Sequence, residues 1–380
     1  MIYLDNAATS YPKPNCVVRA MENALLTYGA NPGRAGHKMS LKTAERVYDT
    51  RVKLAEKFGA HSPENVIFTP NCTASVNFAV KGLVKRGDRV LISDLEHNAV
   101  YRPVKKLEQE GYINLDIFTT YEADFERTYK SFVSSVKPDT KIVICTHSSN
   151  VLGTVLPIEM IGGFCRKNGI KFIVDAAQSA GILPINVKLS QIDCLCAAGH
   201  KGLLGPMGTG IMVVSDSAPY NTIIEGGTGS ASAKWQQPDF LPDRFESGTV
   251  NVPGIIALGA GVDFLSKNEK IYNFEFNKLK YIYNYLQQLN NIELYTDSPK
   301  FGYYTPVISF NVKKMPSEAV AAQLSEKGIC VRAGLQCAPL AHKKIGTIDR
   351  GTVRISPSYF TSFREIDCAL CAIKNLKNTF

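Results

Sequence analysis

Apolar and polar positions change rhythm several times along this chain of 380 residues. From Asn15 to Tyr28, Val18, Met21 and Leu25 recur at helical spacing, until Gly29-Ala30-Asn31-Pro32-Gly33 breaks the pattern. A second amphipathic helix is predicted over Ser40–Phe58, with Leu41, Ala44, Val47, Leu54 and Phe58 on one stripe. From Val66 the pattern becomes strand then helix, repeated. Strands are predicted at Val66–Thr69, Arg89–Ile92, Ile113–Phe118, Lys141–Thr146, Lys171–Asp175, Asp193–Ala197 and Gly210–Val214. Helical patterns fill most gaps: Thr73–Lys85, His97–Glu110, Phe125–Val136 and Ile158–Asn168. Such alternation predicts a mostly parallel sheet covered on both faces.

After Pro253 the order changes. Long helices over Gly254–Ser266 and Tyr272–Leu289 come first, then a strand at Thr305–Phe310 and a helix at Ser317–Lys327. Strands at Ile329–Arg332 and Thr352–Ile355 precede a final helix, which Ser362-Phe363-Arg364-Glu365 opens with a capping box. The expectation is an α/β fold: a large α/β domain over residues 15–253, a smaller α+β domain over 254–380, and an N-terminal arm, 1–14, packed against the smaller one. Ligands of parallel sheets sit beyond the C-terminal strand ends. Thr73, His97, Asn150, Asp175 and Lys201 all fall there.

Composition narrows the function classes. Hydrophobic residues make up 45% and charged residues 20%, the balance of a soluble globular protein. The net charge of +9 comes from scattered lysines without interleaved aromatics, which suits an anionic cofactor or substrate and argues against nucleic acid. No apolar run approaches the ~20 residues of a membrane span. Met1-Ile2-Tyr3-Leu4-Asp5 lacks the features of a signal peptide, and ten cysteines then point to free thiols in a reducing cytosol.

The stretch Asp193–Met212 carries the strongest chemical signal. An apolar strand ends in Ala197-Ala198, followed by Gly199-His200-Lys201 in a glycine-rich turn. A lysine there is costly to desolvate as an ammonium, so its pKa should fall and its neutral amine can attack an aldehyde; a surface lysine in a loop is the plain alternative. Lys171-Phe172-Ile173-Val174-Asp175 delivers a carboxylate at a strand end. A lysine and an aspartate so placed are the pair that pyridoxal phosphate (PLP) chemistry requires.

Other candidates read two ways each. Cys72 and Thr73, in Asn71-Cys72-Thr73-Ala74-Ser75, open a helix whose N–H groups suit a phosphate, or Thr73 is a plain N-cap. His97 would stack on a flat ring or simply start its helix. Asn150 would present an amide to a ligand or sit in a polar turn. Arg354 would hold a substrate carboxylate or form a structural ion pair. Cys337 sits in the Gly/Pro-bounded loop Val331–Pro339 and would be a reactive thiolate or a small buried hydrophobe. The aperiodic stretch 225–253 reads as a functional loop in which Trp235, Phe240 and Phe245 need burial. Cys368 and Cys371 lack a second ligand pair and read as core-facing thiols rather than a zinc site, and Cys194 and Cys196 read the same way.

Taken together these residues resemble the class V aminotransferase family, and within it the Suf-type cysteine desulfurases. The resemblance runs through Leu4-Asp5-Asn6-Ala7-Ala8, Glu96-His97, Ser149–Gly153, Val174-Asp175-x-x-Gln178, Gly199-His200-Lys201, Arg244–Thr249 and Arg332-x-Gly334-x-x-Cys337. It implies a PLP-dependent transferase of fold type I. Lys201 would carry PLP covalently, Asp175 would pair with the pyridine nitrogen, Gln178 with the ring oxygen, and His97 would stack on the ring. Thr73 and His200 would hold the phosphate, with Cys72 beside them and Thr249 reaching in from the second subunit of a homodimer. Asn150 and Arg354, with Arg332 and Ala8 nearby, would hold the substrate carboxylate. Cys337 would take sulfur from L-cysteine, leaving alanine, and pass it to a sulfur-acceptor protein in iron–sulfur cluster assembly or another sulfur pathway. L-Selenocysteine lyase or a true aminotransferase are the rival activities.

Two departures stand out. Ala198 occupies the place of the family's usual phosphate-binding hydroxyl. Leu335-Gln336 occupies the place of two histidines common before the cysteine, which opens the question of how Cys337 is activated.

Overall fold

The computed structural model describes residues 1–33, 36–215 and 220–376. Strand β1 (Ile2–Tyr3) is followed by helices α1 (Asn15–Thr27) and α2 (Lys38–Phe58). The alternating stretch begins with β2 (Val66–Thr69), α3 (Cys72–Leu83), β3 (Arg89–Ser93), α4 (Asn98–Gln109), β4 (Asn114–Phe118) and α5 (Phe125–Ser135). It continues through β5 (Thr140–Thr146), α6 (Ile158–Lys167), β6 (Lys171–Asp175), β7 (Cys194–Ala198) and β8 (Gly210–Val214). Then come α7 (Val252–Ser266), α8 (Ile271–Leu286), β9 (Ile292–Leu294), β10 (Ile308–Val312) and α9 (Ser317–Glu326). The last elements are β11 (Ile329–Cys330), α10 (Pro339–Lys344), β12 (Val353–Ile355) and α11 (Phe363–Lys374).

Seven strands form the main sheet in the order β2-β8-β7-β6-β5-β3-β4. All neighbours are parallel except at β8, which runs antiparallel to both β2 and β7. The central strands are apolar on both faces because both are covered. Val143, Phe172, Val174 and Leu195 feed one core layer, while Ile142, Ile144, Ile173 and Met212 feed the other. Each of these side chains contributes about 1.5–3 kcal/mol by leaving water. The apolar α7, capped by Asn251 accepting from the N–H of Gly254 at 3.1 Å, lies against α1 and α2.

A second sheet, β12-β10-β9, is antiparallel and packs with α8, α9 and α11 around a third core that includes Leu4 of the arm. The arm is held along its length. β1 pairs with β11, Asp5 bridges Ser356, and residues 9–13 then reach the Lys201 loop.

Several sequence expectations are corrected. Val18 and Leu25 of α1, and Leu41 of α2, are more than half exposed, whereas Val17 and Ala24 face inward. The helical stripe was real, but α7 takes the adjacent face. Cys368 and Cys371 are exposed on α11, because Ile366, Ala369, Leu370 and Ile373 supply its buried face. Cys194 and Cys196 are buried as expected. Phe245 is buried against Phe78 and Tyr220, but Trp235 is 99% exposed and Phe240 is exposed too. The six-residue α10 is too short to leave a periodic signal.

Candidate active site

The C-terminal ends of β5, β6 and β7 and the starts of α3 and α4 surround a cavity. Its walls include Thr73, His97, Asn150, Asp175, His200 and Lys201, drawn from five separate segments of chain. Parallel strands with crossover helices aim all these ends at one edge of the sheet, which is why residues so distant in sequence meet.

Asp175 ends β6 and is 2% exposed. Its Oδ1 accepts the N–H of Ala177 at 2.9 Å and the thiol of Cys72 at 3.4 Å. Burial, first, and the Asp175 charge, second, push the Cys72 thiol well up, so it stays protonated and donates.

Lys201 follows the end of β7 and is half-buried on the cavity wall. Burial is the main cause that lowers its pKa, and the nearby Arg354 guanidinium lowers it further. The turn holding it is closely packed: a Cβ on Gly199 would collide with the Thr209 side chain. The arm also closes on this turn. The carbonyl of His200 accepts from the N–H of Ser10 at 3.1 Å and from Lys13 Nζ at 2.8 Å. Burial holds His200 down to about 4, so its ring is neutral, and its Nδ1 is buried without a protein partner.

His97 is the N-cap of α4. Its Nδ1 accepts the N–H of Ala99 at 3.0 Å, which leaves the proton on Nε2, and burial lowers its pKa. Thr73 lines the cavity but is not the cap of α3; Asn71 is, accepting from the N–H of Ala74 at 2.9 Å. Gln178 borders the cavity, and its Nε2 donates to the carbonyl of Ala7 at 3.0 Å, tying the arm to the large sheet. Ala8 lies in the turn its N–H closes on the carbonyl of Asp5.

Arg354 is 3% exposed and forms the ion pair that was its plain alternative. Its Nη2 donates to Asp5 Oδ1 at 2.6 Å and its Nη1 to the carbonyl of Asn150 at 3.0 Å, while its Nε is buried without a partner. Arg332 pairs through its backbone with Arg354, and its side chain is exposed. Thr249 is not a wall of the cavity; its hydroxyl accepts from Asn31 at the surface.

Cys337 is exposed, in a loop between β11 and α10. Its carbonyl accepts the N–H of Asn98 at 2.7 Å, and Asn150 Nδ2 donates to the carbonyl of Gln336 at 2.7 Å. The cysteine loop is therefore fastened to residues at the cavity's edge.

Periodicity gave no sign of two contributors. Asp5 looks like an arm residue until Arg354 is beside it. Glu96 is 0% exposed, accepts the Ser93 hydroxyl and the N–H of Thr146 on Oε1, and is pushed up to about 8 by burial. Its only sequence signal was its place before His97.

The arrangement fits an aldehyde cofactor with an anionic group. It offers an amine of lowered pKa, a carboxylate on the same cavity, a neutral imidazole with an unmatched ring nitrogen, and a helix start at Thr73. The Aminotransferase class-V family profile matches residues 2–368. The chain belongs to the class-V aminotransferase family. That family is PLP-dependent, and its members share the fold type I architecture seen here.

A probable cysteine desulfurase of Methanothermobacter thermautotrophicus is 33% identical over 96% of this chain and 92% of its own. A probable cysteine desulfurase of Pyrococcus abyssi is 31% identical, over 99% and 94%. The apo structure of a cysteine desulfurase from Thermococcus onnurineus aligns with a TM-score of 0.88 and 31% identity, covering 98% of this chain and 94% of that one.

Proposed function

We propose that this protein is a PLP-dependent cysteine desulfurase that converts L-cysteine to L-alanine and carries the released sulfur on Cys337. The observation that supports this most is the fastening of an exposed thiol's loop to Asn98 and Asn150, beside the cavity that holds Lys201 and Asp175. The names of the relatives favour cysteine over the selenocysteine lyase and aminotransferase readings.

PLP, when bound, supplies a sink for the electron pair left when the substrate Cα–H bond breaks. Lys201 would hold the cofactor and, as a neutral amine, take the Cα proton. Asp175 would keep the ring nitrogen protonated, His97 would cover the ring, and Gln178 would face its oxygen. Thr73, Cys72 and His200 would surround the phosphate, and the unmatched His200 Nδ1 supports that role in the absence of a hydroxyl at Ala198. Asn150 and Arg354, with Arg332 and Ala8 at the margin, would hold the substrate carboxylate. The Cys337 thiolate then attacks the substrate sulfur. The S–S bond forms as the C–S bond breaks, and the carbon takes a proton, giving a persulfide and alanine.

The exposed apolar faces of α1 and α2 support a homodimer, in which Thr249 of one subunit would complete the phosphate site of the other. No helix among the described residues is long and apolar enough to cross a membrane. Free cysteines among the described residues suit a reducing cytosol, and the persulfide would pass to a sulfur-acceptor protein, as in iron–sulfur cluster assembly.

The test is product analysis of PLP-loaded protein with L-cysteine and L-selenocysteine in parallel, with a thiol reductant. Alanine and sulfide from cysteine, lost in Cys337→Ala, are expected, with the extra sulfur mapped to Cys337 by peptide mass. Selenide alone, surviving the substitution, would replace this reading with a selenocysteine lyase.

A further inference from the structure

Gln336 precedes the exposed Cys337 but is itself only 5% exposed. Its side chain turns into a polar network under the loop. Nε2 donates to the carbonyl of Thr352 at 2.9 Å. Oε1 lies 3.2 Å from Thr352 Oγ1 and 2.9 Å from His342 Nε2. His342 is fully buried, and its Nδ1 lies 2.7 Å from Thr347 Oγ1. An amide oxygen only accepts, so His342 carries its proton on Nε2 and accepts at Nδ1 from the Thr347 hydroxyl. Burial holds His342 down to about 4, which keeps that neutral tautomer near pH 7. The amide is thus bonded at both ends in one orientation.

The backbone above this network is in an unusual state. Gln336 and Cys337 have φ of 42° and 57°, two successive left-handed residues, neither of them glycine. Side chains with a Cβ adopt that conformation only where the surroundings over-determine it. Here the Gln336 carbonyl is held by Asn150 Nδ2 at 2.7 Å and the Cys337 carbonyl by the N–H of Asn98 at 2.7 Å. The N–H of Ala338 closes the turn on the carbonyl of Leu335 at 2.9 Å. Asn150 is itself a wall of the cavity, so one amide group joins the cysteine loop to the substrate's site.

We propose that Gln336, locked by Thr352, His342 and Thr347, is the positioning residue that fixes the left-handed turn presenting the Cys337 thiol at the cavity mouth. It acts through geometry rather than as a base, since its side chain is neutral and spent on the network. The proposal rests on Cys337 being the sulfur-accepting thiol.

The experiment compares PLP-loaded Gln336→Met, Thr347→Ala and Thr347→Ser with the parent protein. Gln336→Met keeps the side-chain length and removes the polar bonds. It is expected to lower kcat for alanine release about 10- to 100-fold. KM for L-cysteine should stay within about 2-fold, with the cofactor absorbance and its change on adding L-cysteine retained. Thr347→Ala should act in the same direction, and Thr347→Ser should restore the parent rate. Hydrogen exchange in residues 333–340 should quicken in the two impaired variants. An unchanged kcat with unchanged loop exchange in Gln336→Met would overturn the proposal, as would a loss confined to cofactor binding. If Gln336→Met fails to fold, equal rates for Thr347→Ala and Thr347→Ser would overturn it. A fully active Cys337→Ala would refute the role of the thiol instead, and loop exchange would still decide whether Gln336 holds the turn.

Discussion

Arg354 Nη2 donates to Asp5 Oδ1 at 2.6 Å, tying β12 to the N-terminal arm at the edge of the candidate site. The guanidinium is almost wholly out of water, so its charge depends on that carboxylate. Asp5→Ala would leave it buried and unpaired, a defect that costs about 3 kcal/mol. The midpoint of urea unfolding should fall accordingly. An unchanged midpoint would show that the pair contributes nothing net.

Lys201 has two causes lowering its pKa, burial and then Arg354. Its amine therefore becomes neutral below the ordinary lysine value of 10.5, and PLP attachment should rise with pH and level off below that value. Borohydride reduction after equilibration at each pH, followed by peptide mapping, measures this. Lys201→Ala should yield no reduced adduct, and an adduct on another lysine would reassign the site.

Glu96 is pushed from its ordinary 4.5 to about 8 by burial. Between these values the folded chain binds a proton here that the unfolded chain does not, so stability falls as pH rises through that window. Glu96→Gln keeps an acceptor for Thr146 and removes the ionisation. The variant should lose less stability than the parent between pH 5 and pH 8, by denaturant unfolding at each pH. Parallel pH profiles would refute the assignment.

Leu25 and Leu41 are exposed on α1 and α2 at 63% and 59%. If these faces meet in a homodimer, Leu25→Glu with Leu41→Glu should bring charge into an apolar contact and give a monomer in sedimentation velocity. PLP should then bind more weakly, since Thr249 would no longer reach the partner site. A dimer surviving both substitutions would move the interface elsewhere.

The alternation from Val66 to Val214 made the main sheet legible, because strands buried on both faces and helices a dozen residues long leave different periodic marks. That Lys201 and Asp175 would share one cavity was legible, since a strand end and a glycine-rich turn localise a side chain without any knowledge of its neighbours. Val18, Leu25 and Leu41 were legible as apolar but not as outward-facing. Periodicity marks a stripe on a helix and is silent about what covers it, and α7 decided that by taking the adjacent face.

The sequence by itself therefore determined the layered α/β architecture, the edge of the sheet where the candidate site gathers, and the lysine and thiol proposed to carry its chemistry. Only the tertiary structure decided the partners. Asp5 finds Arg354 across most of the chain, and Gln336 finds His342 and Thr352 beneath its loop. Local patterns arise from the spacing of neighbours in sequence. Buried polar groups are satisfied instead by whichever donors and acceptors the fold brings within about 3 Å, and sequence separation carries no record of that distance.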